Sequence, residues 1–197
     1  MSLSLIASMS IFALAASISP GPVNLVCLSS GTRYPLFQGL VFVTGATLGF
    51  IALFIAVGLG LYSLMLQFPL LQEVLRWAGV AFLLYLSLQL ARDNGELPSA
   101  EGRPAPGFWT GALMQALNPK AWLAAASGIG AYTSGQGVEE LLVFTALYLP
   151  ICWLSLASWV YAGAFLRRHI SQPRNLMLLN RLLALLLAAT CLYLILE

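Results

Sequence analysis

The sequence has little charge. Only 8% of its 197 residues are charged and 60% are hydrophobic, whereas about 25% of the residues of an ordinary soluble domain are charged. This composition excludes a soluble enzyme and a disordered chain. The net charge is only +2, and the basic residues lie at the ends of apolar segments, so the sequence predicts no nucleic-acid partner.

Residue types that carry catalysis or bind metals are also scarce. Cys27, Cys152 and Cys191 lie in apolar segments and form no CxxC motif, so we expect neither a disulfide framework nor a metal cluster. No Asp or Glu falls in the interior of a predicted membrane span, which counts against transition-metal transport and identifies no proton carrier. We therefore predict no catalytic residue, no metal and no cofactor.

Long apolar runs are abundant instead. A bilayer core about 30 Å thick requires about 20 apolar residues per helix. Six such segments are present, at 3–30, 37–62, 68–91, 108–132, 138–166 and 176–196. They predict an all-α integral membrane protein with six transmembrane helices in the lipid bilayer.

A polar stretch at 92–107, rich in Pro, Gly and charge, divides these spans into a first half, 1–91, and a second half, 108–197. Each half holds an odd number of spans, so halves of one fold must lie in the membrane with opposite topology. The layout therefore predicts two inverted three-helix repeats joined by a polar linker.

Prolines interrupt the first and fourth spans, at PGP (20–22) and NPK (118–120). An interior proline removes a backbone donor and clashes with the preceding turn, at about 3 kcal/mol or more. In hydrocarbon the freed backbone groups need partners, so a break is tolerated where it is buried in protein or faces a watery cavity. Two broken helices at matching positions of two halves predict a transporter binding site near the midplane.

Lys120 is the one ionisable residue predicted well inside a span. A lysine near the bilayer centre costs about 2.5 to 3.5 kcal/mol, and here it follows Asn118, a favoured N-cap, and Pro119, a favoured first helical residue. This helix start would attract a carboxylate, and the alternative is that Lys120 snorkels to the membrane surface or neutralises a helix end. The candidate substrate-binding residues are Pro20, Gly21, Pro22, Asn24, Gln115, Asn118, Pro119 and Lys120.

The arginines predict the orientation of the chain. The loops after spans one, three and five contain Arg33, Arg92, Arg103, Arg167, Arg168 and Arg174. The opposite side offers only Arg76, which is spaced to pair with Glu73. Because cytoplasmic loops are enriched in Lys and Arg, both termini are predicted to be non-cytoplasmic.

Gly45 and Gly49 form a GxxxG motif in the second span. Such a motif lets another backbone approach closely. We expect this face to pack within the chain, with the broken first span as its neighbour. A homodimer through the same face is the alternative.

Two motifs, SPGPVN at 19–24 and ALNPKAWLAAASGI at 116–129, together with Gly31, Arg33, Gly39, Gly45 and Gly49, resemble the signature of the LysE family of amino-acid exporters, especially its homoserine and threonine exporter branch. The similarity covers nearly the whole chain. It implies export of an amino acid or related small metabolite through the bacterial inner membrane, driven by the proton motive force.

Under this hypothesis the two breaks bind a zwitterion. The helix start at Asn118 and Lys120 would bind its carboxylate, carbonyls near Pro20 would bind its ammonium, and the halves would alternate access around it. A membrane thiol oxidoreductase would instead need a cysteine in each broken span, and the fourth has none. A membrane assembly subunit without transport would leave the paired breaks unexplained.

Overall fold

The helices follow the apolar runs and the prolines that divide them. The computed structural model describes residues 1–92, 105–133, 138–169 and 173–196, and in these parts every regular element is helical. The elements are α1 (Leu3–Ile18), α2 (Pro22–Arg33), α3 (Leu36–Gly58), α4 (Leu61–Leu66), α5 (Pro69–Ala91), α6 (Phe108–Ala116), α7 (Pro119–Tyr132), α8 (Val138–His169) and α9 (Pro173–Leu196). Most of the predicted linker, residues 93–104 with Arg103, lies outside the described residues.

Several of these helices are suited to a membrane. Helices α3, α5, α8 and α9 are long and apolar enough to span it, and the bent pair α1 and α2 makes a fifth candidate when taken as one span. Large apolar side chains such as Phe37 and Trp109 are 75% and 81% exposed on the outside of the protein. The prediction of an all-helical chain with several membrane helices is thus confirmed.

Three prolines in or beside the apolar runs begin helices. Pro22 starts α2, Pro69 starts α5 and Pro119 starts α7. Proline suits this position because its missing N–H would have no partner in the first helical turn. Each break is therefore the end of one helix followed at once by the start of another.

Glycines allow α3 to pack tightly against α6. A Cβ atom added to Gly45 would overlap the Phe108 carbonyl oxygen, and one added to Gly49 would lie 2.7 Å from the Ala112 Cα atom. On the facing helix, Gly111 lies against the Phe42 carbonyl oxygen. The GxxxG face therefore contacts α6, the first part of the interrupted fourth span, and the expectation that its neighbour is the broken first span is wrong.

Helices of the two halves are interleaved throughout. Helix α2 packs against α8, α3 against α6, and α5 against α9. At the first of these contacts Gly31 lies against the Val160 carbonyl oxygen, and Gly163 lies against the Leu28 carbonyl oxygen. Neither half therefore forms a separate core.

The predicted ion pair on α5 is confirmed. Arg76 lies 3.7 Å from the Glu73 carboxylate, at the i, i+3 spacing. The same guanidinium donates to the Ile195 carbonyl at 3.2 Å. Arg76 therefore also ties α5 to the end of α9.

Candidate functional site

The first break separates α1 from α2 by a bend of 61°. Ser19, Pro20 and Gly21 form the connection, and Gly21 is fully extended, with φ −170° and ψ 175°. Because neither Pro20 nor Pro22 has an N–H, α1 cannot continue through this point. The end of α1 is thus left with carbonyl groups that need donors from elsewhere.

Every carbonyl from Ala15 to Gly21 has a donor. The Lys120 ammonium donates to the carbonyls of Ser19 and Pro20. The others are satisfied as follows: Ala15 by the Ser19 amide (3.3 Å), Ala16 by the Ser19 hydroxyl (3.1 Å), Ser17 by the Asn24 side-chain amide (2.9 Å), Ile18 by the Trp159 indole (3.1 Å) and Gly21 by the Leu25 amide (3.0 Å).

Lys120 crosses from the second break to the first. Its Nζ atom donates to the Ser19 carbonyl at 2.6 Å, to the Ser19 hydroxyl at 2.9 Å and to the Pro20 carbonyl at 3.3 Å. The side chain lies over Gly21, where an added Cβ atom would be 2.9 Å from the Lys120 Cδ atom. The ammonium thus neutralises the negative end of α1, and it occupies the carbonyls that the hypothesis assigns to a substrate's ammonium.

The second break has the predicted helix start. The Asn118 side-chain oxygen accepts a hydrogen bond from the Lys120 amide at 3.1 Å, and Pro119 is the first residue of α7. The Ala116 carbonyl at the end of α6 accepts from the Trp122 indole at 2.8 Å. As at the first break, a tryptophan N–H satisfies a carbonyl at the end of the preceding helix.

A cavity of about 40 Å³ lies between the two breaks. Four predicted site residues line it, namely Asn24, Gln115, Asn118 and Lys120. Pro20, Gly21, Pro22 and Pro119 do not line it, and they shape the adjoining backbone instead. The two interrupted segments identified from the sequence therefore meet at one cavity.

Other lining residues were missed. Ser17 and Tyr148 add polar groups, and Ala121, Ala124, Cys152 and Leu156 form an apolar wall. Ser17 could have been identified from the sequence, because it lies three residues before Pro20 of the PGP motif. Tyr148 and Cys152 are on α8, far away in sequence, and no motif marks them. None of the residues that line this cavity is Asp or Glu.

Aromatic side chains close one side of the cavity. Phe50 and Tyr148 line it and contact each other with their rings tilted by 46° and the ring centroids 4.7 Å apart. Away from the cavity their rings continue into a larger set, which we call the aromatic cluster: Phe12, Phe50, Phe54, Tyr132, Phe144 and Tyr148. It draws on α1, α3, α7 and α8, so four helices meet on this side.

In the described parts of the chain, the cysteines form no disulfide and the acidic residues form no candidate metal site. All three cysteines are free and buried. Within those parts no cluster of three or more His, Cys, Asp or Glu residues could hold a metal ion. The polar chemistry of the cavity therefore consists of one ammonium, amides, hydroxyls and backbone groups.

Comparison with known proteins finds a matching family and similar sequences over most of the chain. Residues 14–197 match the family model described as LysE type translocator. Similar curated proteins include the cysteine/O-acetylserine efflux protein of Salmonella typhimurium, which is 28% identical over 175 residues, and that of Escherichia coli K12, 28% identical over 176 residues. Each alignment covers 85% of this chain and 88% of the relative. No solved structure matches the chain significantly.

Proposed function

The chain belongs to the LysE type translocator family, and from this premise we propose that it exports a small amino acid through the bacterial inner membrane. The observation that carries the proposal is the meeting of two helix breaks at one cavity. One break presents backbone carbonyls and the other presents Lys120 with a helix N-terminus. A zwitterion has the complementary charges.

Each end of such a substrate has a matching group. The carboxylate is recognised by the Lys120 ammonium and the start of α7, where the helix dipole favours negative charge. The substrate's ammonium is recognised by the carbonyls of Ser19 and Pro20, at the negative end of α1. Asn24 and Gln115, both buried beside the cavity, supply further hydrogen-bonding groups.

The walls favour a small, uncharged substrate side chain. Ala121 and Ala124 leave room, while Leu156 and Cys152 provide an apolar surface. A basic side chain would find no acidic partner among the lining residues, and burying an unpaired charge is costly. Cysteine and O-acetylserine, for which the relatives are named, belong to this class, so we include both among the proposed substrates.

We propose six spans arranged as two inverted repeats, with α1 and α2 as the first span and α6 and α7 as the fourth. The packing supports this arrangement, since the first span packs against α8, the fifth span, and the fourth packs against α3, the second. The third and sixth spans, α5 and α9, pack against each other. Exchanging the two halves leaves this set of contacts unchanged, as a pseudo-two-fold axis requires.

Transport is proposed to proceed by alternating access, with the aromatic cluster as the outer gate. On α1, Phe12 of the cluster precedes the cavity-lining residues Ala16 and Ser17, so the cluster lies on the side of the cavity nearer the N-terminus. From the arginine distribution we propose that this side is outside the cytoplasm. Opening the cluster would require α1, α3, α7 and α8 to separate around the cavity. We propose the proton motive force as the energy source, in line with the family resemblance.

Export from dipeptide-loaded cells tests this function. Cells hydrolyse the dipeptides, and the released amino acids are followed outside for the intact protein, Lys120→Met and an empty vector, with and without an uncoupler. We expect faster export of small uncharged amino acids by the intact protein only, and none with the uncoupler. Export at the vector rate, by a protein present and folded in the membrane, would contradict the proposal.

A further inference from the structure

The Lys120 ammonium occupies a site that the proposed function assigns to another ammonium. Its Nζ atom lies 2.6 Å from the Ser19 carbonyl oxygen and 3.3 Å from the Pro20 carbonyl oxygen. A substrate ammonium on the same acceptors would lie within a few ångströms of this cation, where two like charges repel. The two ammonium groups cannot hold these carbonyls together.

We propose that Lys120 is an intramolecular competitor for the substrate's amino group and that substrate binds by exchange. The incoming ammonium takes over the carbonyls of Ser19 and Pro20, and Lys120 turns to the incoming carboxylate at the start of α7. This inference rests on the proposed function. It adds that Lys120 has two positions, one on the protein's own carbonyls and one on the ligand.

The size of the cavity supports the exchange. Its volume of about 40 Å³ is room for about three water molecules at roughly 10 to 15 Å³ each on this measure. Even alanine has six non-hydrogen atoms, so substrate needs space that Lys120 occupies or borders. A lysine stem has four rotatable methylene groups, and the absence of a Cβ atom at Gly21 leaves its path over the backbone open.

The exchange also explains how the site would select zwitterions. An amine without a carboxylate would displace Lys120 into a cavity whose lining contains no acidic residue. A carboxylate without an amine would draw Lys120 away and leave the Ser19 and Pro20 carbonyls without their donor, and a backbone carbonyl without a donor is costly within a membrane. Only a zwitterion replaces both partners in one step.

Thermal melting of the purified full-length protein in detergent tests the exchange with three matched probes. Ethylammonium is L-alanine without its carboxylate, and propionate is L-alanine without its ammonium. For the intact protein we expect L-alanine to raise the Tm, and either half-ligand at the same concentration to produce less than a tenth of that shift. In Lys120→Gln, whose side chain is neutral, we expect ethylammonium to raise the Tm because it restores a cationic donor to the two carbonyls.

The controls separate a specific site from a general effect of amines. Arg76→Gln also loses one cation, but at the far contact between α5 and α9, so ethylammonium should not change its Tm. Lys120→Arg keeps cationic donors and should likewise not respond. If Lys120→Gln does not fold, the Tm shifts that the three probes cause in the intact protein still test the exchange.

Three outcomes would overturn the exchange. The first is that ethylammonium or propionate stabilises the intact protein as much as L-alanine does. The second is that L-alanine does not stabilise the intact protein, and the third is that ethylammonium does not stabilise a folded Lys120→Gln protein. If amino-acid export is observed in any of these cases, the proposed function survives without the exchange. Stabilisation of Lys120→Gln by ethylammonium without any amino-acid export would support Lys120 as an amine competitor and refute the proposed function.

Discussion

The indole N–H of Trp159 donates a hydrogen bond of 3.1 Å to the carbonyl of Ile18, the last residue of α1. In a membrane helix that ends before Pro20 this carbonyl has no amide to bond within its own helix. Trp159 belongs to α8, so the end of the first half-helix is completed by the second half of the chain. A helix break in the membrane interior is stable here because other elements supply its missing donors.

Replacing Trp159 with Phe should therefore lower stability. The aromatic body is kept, but the Ile18 carbonyl loses its donor. Because water cannot replace that donor within the hydrocarbon of the membrane, the loss should cost about 1 to 3 kcal/mol. Chemical denaturation in detergent measures the free energy of unfolding. The matched control is Trp77→Phe, whose indole bonds the exposed Glu73 carboxylate, and a loss as large in the control would contradict this account.

Gly45→Ala should destabilise the contact between α3 and α6. The added methyl group would overlap the backbone of Phe108, and backbone atoms cannot move aside as a side chain can, so the cost should be about 1 to 3 kcal/mol. Gly130→Ala is the control, because nothing lies within 4 Å of its added Cβ atom, and it should be neutral or slightly stabilising. Unchanged unfolding of Gly45→Ala together with dissociation of a homodimer would show that the motif packs between chains instead.

Gly21→Ala should impair export while leaving the protein folded. Its Cβ atom would lie 2.9 Å from the Lys120 Cδ atom and 3.1 Å from Nζ, so it would obstruct the movement of the lysine side chain between the two positions that the exchange requires. We expect export to fall about tenfold, equivalent to roughly 1.4 kcal/mol, with normal amounts of protein in the membrane. Gly107→Ala, which meets no atom within 4 Å, should export normally, and equal export by the two variants would remove Lys120's position over Gly21 from the mechanism.

Phe144→Ala should open the aromatic cluster. Phe144 is fully buried and contacts the rings of Phe12, Phe54, Tyr132 and Tyr148. We expect a membrane-impermeant maleimide added outside intact cells to label Cys152, which lines the cavity, several times faster in this variant.

That labelling is measured with Cys27 and Cys191 replaced by Ala, so that a single thiol remains. Phe37→Ala, at a side chain 75% exposed on α3, is the control and should leave the rate unchanged. Faster labelling only in inside-out vesicles would place the cluster on the cytoplasmic side and reverse the proposed orientation.

Replacing all three cysteines with Ala should preserve export. The cysteines are buried and free, and the proposed binding of a zwitterion uses none of them. The rate of amino-acid export from dipeptide-loaded cells, normalised to the amount of protein in the membrane, provides the measurement. Loss of export from a folded triple variant would revive the thiol oxidoreductase hypothesis.

Much of the site could be predicted because its residues depart from what a membrane helix favours. Pro20, Pro22 and Pro119 stand out in apolar runs, and Lys120 stands out as a cation inside a predicted span. The N-cap at Asn118 could be predicted too, since capping is a local interaction within two or three residues. Tyr148 and Cys152 could not, because nothing near them in sequence distinguishes a cavity wall from ordinary helix packing.

The sequence by itself determined the membrane class, the approximate extent of the long helices and the two breaks, because hydrophobic length and proline geometry act over a few turns of one chain segment. Only the tertiary structure decided that Gly45 and Gly49 face α6 and that Trp159 completes α1. It also decided that the Lys120 ammonium donates to the carbonyl of Ser19 at the first break, 101 residues away, instead of remaining at the start of its own helix. These are choices among distant partners, and they depend on which surfaces fit once all the helices pack together.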